Sequence, residues 1–157
     1  MSFSIFTQRR FKATGIRVDL GCGAKCRSGF TGLDSRECGQ QLLWDARHGL
    51  PFPDSTIKHL FSSHFIEHLT DQEAADIFVE ILRIMDTGGV VEMRCPHSSS
   101  REAWFHSHLT RWNEERIKGI VLGFHGRAAS GEKHFSTEKL TQEGFELAFI
   151  LRIKIKK

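Results

Sequence analysis

Few of the features that mark a special class of protein occur in this sequence. Its 157 residues include only three prolines, and with 39% apolar and 26% charged residues the chain is neither disordered nor fibrous. The four cysteines, Cys22, Cys26, Cys38 and Cys95, form no Cys-x-x-Cys pair. A zinc framework or a disulfide scaffold is therefore not indicated, and free thiols with no bound metal are expected. No apolar run reaches membrane-spanning length, and residues 1 to 14 carry Arg9, Arg10 and Lys12 without the apolar segment or cleavage site of a secretory leader. A cytoplasmic location with no membrane span is the expectation. The net charge of +3 is too small to call for a nucleic-acid partner, although basic residues gather at Arg9 to Lys12 and Arg152 to Lys157. Internal repeats and low-complexity tracts are absent.

What the chain does have is length for one core, so residues 1–157 read as one domain. Its organising stretch is Ile16 to Gly23, a β-branched apolar run ending in Asp19, Leu20, Gly21, Cys22 and Gly23. This is the pattern of a buried strand entering a turn where glycine lets a ligand approach the backbone closely. Gly21 and Gly23 open a Gly-x-Gly-x-x-Gly turn, but Cys26 stands at the third position, so the dinucleotide fingerprint is incomplete.

Residues 1–15 read as an N-terminal arm. Phe30 to Asp34 is a second strand, reached after a connection so short that its helix must be reduced to about a turn. Gln41 to Trp44 is a third strand, ending in Asp45. Pro51 and Pro53 stiffen the next connection, and Ile57 to Ser63 is a fourth strand with His64 at its end. Asp71 to Met85 is the clearest helix, with an apolar stripe at three and four residue steps and Thr70 or Asp71 as its cap. Gly88 and Gly89 end it before a fifth strand, Val90 to Cys95. Residues 101 to 122 are helical in parts, Gly123 to Gly131 is a loop or lid, and residues 98–135 as a whole form a lid or substrate region. Ser136 caps a short helix, Thr137 to Glu143, and Glu146 to Lys156 is a closing strand. Alternating strands and connections specify an α/β fold around a mostly parallel sheet.

On such a sheet the turns at the carboxyl ends of the strands open along one edge, where ligands bind. Those turns hold Gly21 to Gly23, Asp34, Asp45, His64 and His97. Ionised carboxylates only accept hydrogen bonds, so Asp34 and Asp45 suit the donors of a nucleoside, the ribose hydroxyls and an exocyclic amine, and repel phosphate.

Val18 to Gly23, Gly32-Leu33-Asp34, Leu50 to Asp54, His64 to Leu69 and Gly88 to Val91 together resemble the successive signatures of class I S-adenosylmethionine-dependent methyltransferases, in particular the small, methyltransferase type 11-like members. The resemblance covers residues 16 to 97 well and Lys133 to Phe145 more loosely. It implies a Rossmann-like, mostly parallel sheet flanked by helices in a three-layer α/β/α sandwich. It also implies a site in which Asp19, Gly21, Cys22 and Gly23 surround the methionine part of S-adenosyl-L-methionine, with turn amides near its carboxylate. Asp34 would hold the ribose hydroxyls, Asp45 the adenine amine with Ala46 beside it, and Ser63 or His64 the floor beneath the sulfonium. His97, then His64, are the candidate bases, with His106 and His134 as further histidines from the lid. The implied activity is methyl transfer to a small-molecule or sugar-containing acceptor by in-line attack. A catalytically inactive or partner-dependent cofactor-binding subunit is the alternative. A nucleic-acid methyltransferase comes third, because Ser62-Ser63-His64-Phe65 replaces the Asn/Asp-Pro-Pro-aromatic motif of enzymes that act on base amines.

His64-Phe65-Ile66-Glu67-His68 also spells the inverted zinc-protease motif His-x-x-Glu-His, but His64 ends a strand here, and a polar network is the expected role of Glu67 and His68. The chain departs from the family in showing only one strand candidate after Gly144, so the last hairpin is expected to be reduced or completed from residues 101 to 131. With no helical extension before the first strand, the acceptor site is expected to be open or closed by a second copy in a homodimer.

Overall fold

A computed structural model describes residues 15–123 and 133–155. The expected arm up to Thr14, and all of the glycine-rich loop beyond Gly123, lie outside the described residues. Among the described residues seven strands, β1 (Ile16–Leu20), β2 (Thr31–Asp34), β3 (Leu42–Leu43), β4 (Ile57–Ser63), β5 (Met85–Pro96), β6 (Lys133–Glu143) and β7 (Glu146–Ile155), form one sheet in the order β3-β2-β1-β4-β5-β7-β6. The first five strands run parallel and β7 pairs antiparallel with both β5 and β6. The order reverses between β1 and β4, so the carboxyl ends of β1, β2, β3 and β4 open on one crevice.

Among the described residues two α-helices accompany the sheet, α1 (Asp71–Ile84) and α2 (Glu114–Gly123). A capping box starts α1: Thr70 Oγ1 accepts from Glu73 N at 3.3 Å and Glu73 Oε2 accepts from Thr70 N at 2.8 Å. Ala74, Ile77, Phe78, Ile81 and Leu82 are all buried, as the sequence periodicity predicts. The helix ends one residue before the expected Met85, which turns into extended geometry and pairs with Ile57. Lys133 closes that end. Its ammonium donates to the carbonyl of Met85 at 2.8 Å and reaches those of Arg83 and Leu82 at 3.3 and 3.4 Å, while Ser55 N and Thr56 N donate to the carbonyls of Arg83 and Ile84, so the oxygens of the helix terminus are met by donors.

The helices share one face of the sheet. Phe78 meets Phe135 of β6 edge-on at 5.8 Å and Trp112, just before α2, at 6.2 Å, over a core that includes Leu60, Val91, Met93 and Phe149. Neither α1 nor α2 covers the opposite face, where Phe61, Glu92 and Arg94 are half-buried. The connections that would carry helices there, from β1 to β2 and from β2 to β3, contain none. Arg27 covers part of that face instead, with its guanidinium 4.4 Å from the centre of Phe61 and 2.9 Å from Glu92.

Two expectations about the carboxyl-terminal third are corrected. Thr137 to Glu143 is not a helix but part of β6, and the final hairpin is complete. A bulge between Thr137 and Lys139 adds one residue to β6, so Phe135 and Leu140, five residues apart, both turn toward the core. That break in alternation hid the strand. A two-residue loop, Gly144-Phe145, joins β6 to β7, with Gly144 at φ 64, the left-handed conformation such tight turns require.

Truncating Phe78, which has no exposed surface, leaves a cavity between α1, β6 and Trp112. Phe78→Ala is expected to destabilise the fold by about 3–5 kcal/mol in urea unfolding, more than any exposed substitution on the same helix.

Candidate functional site

At the carboxyl rim of β1 to β4 lies a cavity of about 470 Å³, in the size range of small-ligand sites. Gly21, Leu33, Asp34, Trp44, Asp45, Ala46, His64, Phe65, His68 and Ser107 contribute to its wall.

The turn after β1 is fastened to β2 through its own amides. Gly21 N and Cys22 N both donate to the Leu33 carbonyl, at 2.8 and 3.3 Å, and Gly23 N donates to Asp34 Oδ2 at 2.9 Å. The amides expected near a ligand carboxylate are thus engaged within the chain. Gly21 stands at φ 69, and a Cβ there would lie 2.6 Å from the Phe65 ring, so only glycine allows the two cavity residues to pack. Asp34 is 8% exposed, and its other oxygen accepts from Arg36 N at 2.9 Å.

Asp45 caps a single turn of helix, Ala46–His48. Its carboxylate takes Arg47 Nη2 at 2.6 Å and Arg47 Nε at 2.9 Å, which holds its pKa down at about 2. It is an ionised acceptor with a cation already attached.

Five of the nine residues expected at the cofactor line the cavity: Gly21, Asp34, Asp45, Ala46 and His64. Asp19, Cys22, Gly23 and Ser63 do not. Asp19 is buried behind the turn, where Oδ2 accepts from Arg27 N at 2.6 Å and desolvation raises its pKa. Burial also pushes the Cys22 thiol up to about 12, so it stays protonated.

The candidate bases are placed otherwise than expected. His64 is one of two non-glycine residues at positive φ among the described residues, at 54, which sets its ring between Glu67, 3.2 Å from Nδ1, and Glu146, 2.7 Å from Nε2. Glu67 foremost, and Glu146 with it, hold its pKa up at about 9 against burial. At neutral pH it is an imidazolium, with no lone pair to accept a proton. His97 is not part of the cavity wall. Its ring is tied to Ser99 Oγ at 2.7 Å and Glu114 Oε2 at 3.1 Å, joining the end of β5 to the start of α2. His106 is exposed, and His134 lies on β6 at the far edge of the sheet.

Sequence reasoning missed Trp44, Phe65, His68 and Ser107. Trp44 and Phe65 had a legible signal, an aromatic beside a strand-end acid and another beside a strand-end histidine. Ser107 and its neighbour His108 had none. They reach the cavity region because Leu109 N and Thr110 N donate to the Glu67 carbonyl at 2.8 and 3.1 Å.

No protein-family model matches the chain, and no curated protein matches it. Solved structures do. The PH0226 protein of Pyrococcus horikoshii OT3 superposes with a TM-score of 0.65 at 16% identity, over 95% of this chain and 87% of that one. A SAM-dependent methyltransferase of Archaeoglobus fulgidus gives 0.65 at 17% identity, over 94% and 91%. Phosphoethanolamine N-methyltransferase 1 of Haemonchus contortus, solved with phosphoethanolamine and S-adenosylhomocysteine, gives 0.69 at 14% identity, over 92% of this chain and 40% of that one. The shared fold is that of the class I S-adenosylmethionine-dependent methyltransferases.

Because the folded pKa of His64 lies above its ordinary value of 6.5, the charged contacts stabilise the fold fully below that value and fade as pH rises through about 9. The stability difference between the wild type and His64→Asn, a residue that tolerates the same backbone, is therefore expected to be largest near about pH 6 and to close near about pH 10 in urea unfolding in metal-free buffer.

Proposed function

We propose that this chain is an S-adenosylmethionine-dependent methyltransferase that acts on a small-molecule acceptor. The observation that supports this most directly is the convergence of Gly21, Asp34, Asp45 and Ala46 on one cavity at the carboxyl rim of a methyltransferase-fold sheet.

The donor set fits the cofactor. After taking the amides of Gly23 and Arg36, each oxygen of Asp34 keeps a lone pair, which is what two adjacent ribose hydroxyls need. Trp44 and Leu33 supply flat and apolar wall for a base, and Asp45, both of whose oxygens take Arg47, accepts a base amine by sharing or exchanging that guanidinium. The cofactor, when bound, supplies a methyl group on a positively charged sulfur, which is already a strong electrophile. The chain's share is to bind, to align and to exclude water. His68 and Ser107, at the wall away from the carboxylates' strands, are the residues that meet the acceptor. The His64 imidazolium contributes charge there and removes no proton.

A second reading, cofactor binding without turnover, is favoured by the same turn amides and carboxylates being engaged within the chain. Calorimetric titration tests the shared premise. S-adenosylhomocysteine is expected to bind, and Asp34→Ala to weaken binding by about 1–3 kcal/mol, the value of hydrogen bonds to a charged group. Absence of binding, or affinity unchanged by that substitution, overturns both readings. Transfer of labelled methyl from S-adenosylmethionine to a panel of small alcohols and amines then separates turnover from binding alone.

A further inference from the structure

Beneath the His68 wall of the cavity is a carboxylate that the fold leaves unsatisfied. Glu67, in the single helical turn Ile66–His68, is 1% exposed, and neither of its side-chain oxygens has a hydrogen-bond partner among the described residues. His64 Nδ1 lies 3.2 Å from Oε1, an ion-pair contact outside hydrogen-bond geometry, and His64 already has Glu146 as a counterion at 2.7 Å. Glu67 thus has a cationic neighbour in His64 but no hydrogen bond to either side-chain oxygen among the described residues, and a buried polar group left without one is costly, so its lone pairs stand open to a metal ion.

The surroundings supply ligands for one. One ligand atom each from Glu67, His68 and His108 lie within 4.8 Å of one another. His108 Nδ1 is itself buried with no hydrogen-bond partner. His68 Nδ1 lies 3.1 Å from the Ser107 carbonyl, which can only accept, so Nδ1 carries the proton and the Nε2 lone pair is free. That is the outer-shell arrangement that fixes the tautomer of a metal-binding histidine. The two rings stand edge-on with centroids 4.8 Å apart. The segment carrying His108 is stitched to the Glu67 turn by Leu109 N, Thr110 N and the Thr110 hydroxyl, which donates to the Ile66 carbonyl at 3.1 Å.

We propose that Glu67, His68 and His108 hold a divalent first-row transition-metal ion, zinc by the chemistry of the donor set, against the wall of the cavity. Two imidazole nitrogens and one carboxylate are the three protein ligands of an open zinc site, which keeps its fourth position for an oxygen ligand. Metal–nitrogen bonds of about 2.0 Å place tetrahedral ligand atoms roughly 3.3 Å apart, so the exposed His68 and half-buried His108 swing inward by on the order of 1.5 Å on binding. His68 also lines the cavity, so the fourth position faces it, and water or an acceptor hydroxyl completes the shell. The metal site stands on its own geometry; its use in orienting an acceptor rests on the methyltransferase reading.

The test loads the full chain with Zn²⁺, and separately with Co²⁺, followed by gel filtration and metal analysis. One equivalent retained per chain, with the intense visible bands of four-coordinate cobalt, is the expected result. Glu67→Gln and His108→Ala are each expected to weaken Zn²⁺ binding by at least about tenfold, while His106→Ala, at an exposed neighbouring histidine, leaves it unchanged. Glu67 is a core residue, so His108→Ala keeps the test decisive if Glu67→Gln does not fold. No retained metal, or retention that His108→Ala does not alter, overturns the site. Titrating the same samples with S-adenosylhomocysteine separates the two readings: cofactor binding without metal overturns the metal site alone, and metal binding without cofactor supports the site and overturns the methyltransferase assignment.

Discussion

The Leu33 carbonyl and the Asp34 carboxylate, taking three successive amides of the glycine turn, are the fastening on which the site depends. With no helix between β1 and β2, the turn is held by hydrogen bonds that continue the ladder pairing the two strands. Those bonds put Gly21 against Phe65 and direct Asp34 to the same cavity as Asp45. Arg27 anchors the returning segment through the buried Asp19 and spreads over Phe61. Asp19 thereby holds the connection that the site rests on, although it does not reach the cavity.

Electrostatics divides the rim into two ends. At the β2 and β3 end the carboxylates are held by local donors, Asp34 by amides and Asp45 by Arg47. At the β4 end a protonated His64 is shared between two glutamates, one of them nearly without solvent contact. An adenosine-like ligand suits the first end. At the second end Glu67 has an ion-pair contact with His64 but no hydrogen bond to its side-chain oxygens among the described residues, which leaves them open to a metal ion.

Much of this arrangement was legible in the sequence, for identifiable reasons. β4 and α1 announce themselves because burial on one face follows the local period, and β1 and β2 because they are short buried runs bounded by turn residues, and the strand-end acids follow directly. The parallel sheet and the positions of Gly21, Asp34 and Asp45 on one rim came with them. β6 was hidden because its bulge breaks the alternation on which strand reading relies, and the edge strand carries charges such as Lys139 and Glu143 on its outward side. The engagement of Asp45 by Arg47, two residues on, and the left-handed turn at His64 are conformational details that composition does not encode. The approach of His108 to Glu67, forty-one positions earlier, depends on two backbone amides finding one carbonyl, a pairing with no side-chain signature.

Lys133 has a bearing on the order in which the chain is built. The last turn of α1 leaves carbonyls that receive this ammonium, which sits at the start of β6 and is made 48 residues after Met85. The Arg83 carbonyl also accepts from Ser55 N at 3.0 Å, a donor made earlier, but the Lys133 contacts form only once β6 and β7 have been made and β7 lies beside β5. A nascent chain halted before that hairpin therefore carries an α1 terminus without this ammonium, beside a β5 edge that β7 has not yet covered.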